Sequence, residues 1–291
     1  MKHSKFLLFF IISAVLAVYA RTAQILYLTE EKTGFFSADS ALAALLLSVF
    51  IGICVASVAA LAFFSRRTPK GAPRKTTSLC VLAGILSLSM LYESFFVSYI
   101  SKATVLLLLT RLFAVLSATV FMLYALSPFM NEKKLPQIIF AVPVFFLIFK
   151  TVCVFTVYAT VSTIADNIFY LCFLCGAILC FLFFAKIENG VLIGKSSYYM
   201  LPSVSAFLIV SLCCFVPQLT ALIFGGADKL HCDYRNFPFV IASTAFFAVY
   251  AHMLYKRDNL KMHKRRTRTL KGFGTYDDYD SQFVTDDGKK K

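Results

Sequence analysis

Residues 104–130 read TVLLLLTRLFAVLSATVFMLYALSPFM. Arg111 is the one charged residue in that stretch. A helix rises about 1.5 Å per residue, so about 20 apolar residues cross the roughly 30 Å hydrocarbon core of a bilayer. The run is long enough to cross and has no polar face, which a helix on the surface of a soluble domain would need. It does not alternate as a barrel strand would. It therefore predicts a transmembrane helix.

Working outward, seven further runs of the same kind lie at 6–27, 40–64, 78–99, 137–161, 167–185, 198–224 and 237–255. With 104–130 they predict eight spans in an all-α polytopic transmembrane bundle over residues 1–255. The connections are too short to hold a soluble domain. Composition agrees: of 291 residues, 59% are hydrophobic and 15% charged, and mean hydropathy is +0.76. Soluble domains carry about 45–50% apolar and about 25% charged residues. A soluble enzyme, a disordered chain and a coiled coil are excluded. The net charge of +14 is not read as a nucleic-acid surface, because little polar surface exists to display it.

The charge instead orders the loops. One set of connections holds Lys2, Lys5, Arg66, Arg67, Lys70, Arg74, Lys75, Lys133, Lys134, Lys186 and Lys195. The other set holds Lys32, Lys102, Lys229 and Arg235. Basic loops stay in the cytoplasm, so both termini are expected there, in a cell membrane. Residues 1–20 also resemble a signal peptide: a basic start, then FLLFFIISAVLAVYA, with Val18-Tyr19-Ala20 as a small-residue cleavage site. Cleavage would leave seven spans. Ala14, Ala17, Arg21 and Gln24 share one helical face across that site, which favours an uncleaved first helix.

After residue 255 the composition breaks. Residues 256–271, KRDNLKMHKRRTRTLK, carry eight basic residues and one acidic one. Lys264, Arg265, Arg266 and Arg268 are its densest part. Such a juxtamembrane cluster is expected to contact anionic lipid headgroups at the cytoplasmic face, or to anchor the last helix. Residues 272–291 read as a disordered tail.

Four ionisable residues are expected at membrane depth: Arg21, Glu93, Arg111 and Lys150. Such groups are rare there and usually mark a site. Glu93 and Arg111 lie on consecutive helices at matched depth and are expected to pair. Lys150 lies deepest, among Phe146, Leu147, Cys153 and Val154. Together the four would line an outward-facing, net positive pocket, suited to an anionic solute. Pro143, Pro202 and Pro217 are candidate kinks. Gly52, Ala56 and Ala60 have the spacing of a helix-packing face.

Chemical motifs are few. Cys172 and Cys175 form a CxxC inside an apolar helix, where thiols read as packing residues. Gly190-Val-Leu-Ile-Gly194-Lys195-Ser196 is one residue short of a phosphate-binding loop and no strand precedes it. HExxH and GxSxG are missing, and no His cluster suits a metal. The expected function is a small-solute transporter or permease, not an enzyme, with no cofactor and no metal. Alternatives are a scaffold or subunit of a larger membrane complex, and a seven-helix sensor signalling through a protein partner on the basic tail. The bilayer is the partner in every case.

Overall fold

The computed structural model describes residues 3–30, 36, 40–64, 72–73, 76–96, 104–128, 137–158, 165–190, 193–224 and 234–255. The basic segment 256–271 and the tail 272–291, with Lys264, Arg265, Arg266 and Arg268, lie outside them. Eight helices long and apolar enough to cross a membrane make up the described chain. They are α1 (His3–Ala23), α2 (Ala41–Phe64), α3 (Thr77–Phe96), α4 (Thr104–Leu126), α5 (Val142–Tyr158), α6 (Ala165–Glu188), α7 (Ile193–Ile223) and α8 (Phe237–Leu254). The protein is a multi-pass, all-α membrane bundle.

Cross-helix contacts fix the relative directions. Gln24, beyond the C-terminal end of α1, bonds the Ala44 carbonyl in the first turn of α2. Thr110, early in α4, meets Cys153, late in α5, at 3.2 Å. Tyr124, Glu188 and Tyr250 bring the C-terminal ends of α4, α6 and α8 together. We call that end of the bundle the tail end, because the chain leaves α8 there.

The main core is rich in aromatic rings, which cluster between α4, α6 and α8 with α7 alongside. Phe121 meets Phe246 edge-on at 5.4 Å, Phe181 meets Phe247 at 4.8 Å, and Phe184 meets Tyr250 at 5.0 Å. Edge-to-face geometry sets a positive ring edge on a negative ring face and adds about 0.5–1.5 kcal/mol per pair beyond burial. Glu188 closes this core at the tail end by accepting from the Tyr250 hydroxyl at 3.1 Å and the Tyr124 hydroxyl at 3.4 Å. Just past α8, Tyr255 is also buried, and burial pushes its phenol above the ordinary value.

A second, small-residue core joins α1, α2 and α7. Ala14, Ala17 and Ala20 face Ile51, Cys54 and Val58 of α2 and Ile209 and Cys213 of α7. Small side chains let backbones approach where lipid offers no hydrophobic contrast to drive helices together. The buried face of α2 is Ala44, Ile51, Cys54, Val58 and Ala62, of which Ile51, Cys54 and Val58 belong to this core. Gly52, Ala56 and Ala60, expected to pack, are exposed instead.

The prolines behave differently from one another. Pro143 sits in the first turn of α5, after a 3-10 turn at Gln137–Ala141. Proline is tolerated there because its missing N–H has no intrahelical partner to lose. Pro202 and Pro217 lie inside α7. The Ser205 hydroxyl donates to the Leu201 carbonyl at 2.8 Å, and Thr220 donates to the Pro217 carbonyl at 2.7 Å. The eight described cysteines are free thiols, with Cys172 and Cys175 on the exposed face of α6.

Candidate functional site: two buried ion pairs

Both ends of each ion pair come from helices separated in sequence. Lys150 on α5 donates to Glu93 on α3. Both helices pack on α4, so the long lysine arm and the glutamate meet beside its inner face. Lys150 is 0% exposed and Glu93 3%. At that burial, neither charge is solvated by water, and removing one partner would leave the other uncompensated.

Three rings surround the Lys150 ammonium. Its Nζ lies 4.3 Å from the Phe239 ring centre, 5.6 Å from Tyr170 and 5.7 Å from Phe146. A cation within about 6 Å of a ring face is attracted by the ring quadrupole, most strongly where water is excluded. The rings come from α8, α6 and α5, so four helices converge on one ammonium. Sequence reading identifies Lys150 as buried but gives it no partner.

Glu93 was expected to pair with Arg111, and the structure pairs it with Lys150 instead. Matched height does not fix direction around a helix axis. Arg111 follows Thr110, whose hydroxyl contacts Cys153, one turn further along α5 than Lys150. Arg111, one residue nearer the tail end than Thr110, is thus less than one turn, roughly 3 Å, from the Lys150 level on the side away from the tail end. It stays partly buried on the stripe it shares with Ala114 and Ala118. Its buried Nε has no hydrogen-bond partner among the described residues.

Arg21 belongs to a separate assembly. Its guanidinium pairs with Asp166 in the first turn of α6 and donates to Gln24 Oε1 at 3.0 Å. The same guanidinium stacks 4.4 Å from the centre of the Phe169 ring. Gln24 in turn donates to the Ala44 carbonyl and the Ser48 hydroxyl, both at 2.9 Å. It sits in a π turn, Gln24–Leu28, that extends α1. Such turns admit an extra residue into a helix and often occur at functional positions. Arg21 is 2% exposed and Asp166 8%, so this arginine is held inside the bundle at the first turn of α6.

The four charges expected in one pocket are therefore distributed over two pairs and a third position. Asp166 was missed because the expected span began at 167, which put the carboxylate in a loop. An acid directly before an apolar run, facing a cation of similar height, was the available signal. The predicted span ending at 185 leaves Glu188 outside it for the same reason. The two pairs meet at α6, where consecutive residues serve them: Phe169 covers Arg21 and Tyr170 faces Lys150. Polar links elsewhere in the interior are smaller. Ser87 donates to the Ala118 carbonyl at 2.7 Å, and Ser211 bonds Thr244 between α7 and α8. Among the described residues no group of three His, Cys, Asp or Glu could hold a metal ion.

No protein-family model matches the chain, and neither a curated protein nor a solved structure is similar to it; its own residues establish a multi-pass helical membrane protein with two ion pairs buried between its spans.

Proposed function

We propose that the protein is a small-solute transporter or permease whose solute carries an anionic group, and that Lys150 is the cation that receives it. The observation supporting this reading is the Lys150–Glu93 pair, wholly buried at membrane depth among three aromatic rings. Ionisable groups inside a membrane are costly and usually line a solute or ion path. In this reading Glu93 holds the place of the solute anion in the resting protein. Arg111, less than one turn away in height and partly exposed, is the first cation the solute meets. The end of the bundle opposite the tail faces outward, and the C-terminus is cytoplasmic in a cell membrane. The basic segment, through Lys264, Arg265, Arg266 and Arg268, lies against anionic headgroups. No catalytic step or cofactor enters this reading.

The test is thermal unfolding of the purified protein against anionic, cationic, neutral and lipid-like solutes, with Lys150→Met alongside. A ligand that binds only the folded state raises the midpoint by mass action. The expected result is a rise for solutes carrying a carboxylate or phosphate, absent in Lys150→Met. No rise for any such solute would overturn the reading. A second reading, a subunit of a larger membrane complex, is favoured by the exposed Gly52, Ala56 and Ala60 stripe on α2.

A further inference from the structure

Arg111 stands apart from the two ion pairs. Apart from residues at the tail end, the eight helices carry Arg21, Arg111 and Lys150 against Glu93 and Asp166. However Glu93 divides its attraction, one positive charge is left over. Arg111 has no ion pair among the described residues, and its buried Nε has no hydrogen-bond partner there. The connection between α3 and α4, residues 97–103, reads VSYISKA and contains no acid. A charge at membrane depth is costly, and the cost falls when a counter-charge or an interface comes within its reach.

Its place on the helix indicates where a counter-charge comes from. Arg111 lies seven residues after Thr104, the first residue of α4, roughly 10 Å from the end of the bundle opposite the tail. Ala114 and Ala118 on one side of it are packed, while Leu108 and Leu112 on the other side are exposed. Arg111 itself is partly exposed. Ser87 donates to the Ala118 carbonyl, so α3 closes this edge of α4. The same number of residues along each helix sets Arg111 level with Ser94 of α3. Beside Ser94, Phe95 is exposed, and so is Leu88 toward the bilayer centre. Arg111 is therefore a cation at the lipid boundary of the α3–α4 contact, flanked by apolar side chains. A long basic arm near a helix end extends toward the interface, and a guanidinium fork matches two oxygens of a phosphate. A phospholipid supplies that phosphate at the interface and acyl chains for the exposed leucines.

We propose that Arg111 holds the phosphate of a phospholipid in the leaflet opposite the tail, with the acyl chains along the exposed α3–α4 face. This lipid site does not rest on the transporter reading; a solute that reaches Arg111 in that reading displaces the phosphate. The test counts bound lipids on the full-length protein by native mass spectrometry after delipidation in detergent. The background is Lys264→Gln/Arg265→Gln/Arg266→Gln/Arg268→Gln, which removes the basic cluster of the tail. Dioleoyl phosphatidylglycerol, dioleoylglycerol and inorganic phosphate are added in turn, with and without Arg111→Gln. The expected result is one phosphatidylglycerol more than the number of dioleoylglycerols bound, and its loss in Arg111→Gln. Equal phosphatidylglycerol counts with and without Arg111 would overturn the site. Equal binding of dioleoylglycerol and phosphatidylglycerol would also overturn it, because the chains alone would then suffice, and this comparison stands even if Arg111→Gln does not fold. Inorganic phosphate held at Arg111 as firmly as the lipid would overturn the lipid and make the position a free-anion site.

Discussion

A lysine ammonium with no exposure to solvent is stable only while its carboxylate and rings stay in place. Breaking a buried pair by removing one partner typically costs about 3–5 kcal/mol, while replacing both partners by neutral groups costs much less. Glu93→Gln and Lys150→Met should therefore each lower the unfolding midpoint strongly, and the double variant should recover about 0.5–3 kcal/mol of the summed loss. Glu93→Gln combined with Arg111→Gln should show a smaller coupling than the Lys150 cycle. Strict additivity in the Lys150 cycle would mean the pair is not formed. The expense of these residues was legible in the sequence, because charge at depth can be counted along a run. Their partners were not, because a run gives height but not direction, and a boundary misplaced by one residue hid Asp166.

On the scale of helices, α6 approaches α7 closely at Gly176. A Cβ there would lie 3.3 Å from Phe207 Cδ2 and 3.7 Å from the Phe207 Cα. Gly176→Ala asks the ring to shift by a few tenths of an ångström, whereas Gly176→Leu overfills the contact. The leucine variant should lose about 1–3 kcal/mol. Gly52→Leu is the control, since a Cβ at Gly52 meets nothing within 4 Å, and it should leave stability within about 0.5 kcal/mol. Denaturation midpoints of the three variants check this, and equal losses at 52 and 176 would refute the assigned packing faces. The helices themselves were legible because length and apolarity suffice to define a span. Which face packs was not, because Gly52, Ala56 and Ala60 have the same spacing as a packed stripe while lipid and neighbour are equally apolar. On α1 the mixed stripe Ala14, Ala17, Arg21 and Gln24 did mark the buried face, because it contains groups that lipid rejects.

For the whole molecule, the basic segment beyond α8 should make its protease sensitivity depend on lipid charge. Trypsin cleavage around Lys264–Arg268 in the reconstituted protein should be slower in vesicles containing phosphatidylserine than in neutral vesicles. The difference should vanish near 1 M salt, where the screening length falls to about 3 Å. Identical rates in both vesicles would mean that the segment only anchors α8. The bundle is also mechanically connected through one helix. Neighbouring residues on a helix point about 100° apart, so Phe169 and Tyr170 turn α6 into a common axle for Arg21 and Lys150. A small roll of α6 would displace both rings at once, so the surroundings of Arg21 near the end of α1 and of Lys150 in α5 are tied to the position of one helix.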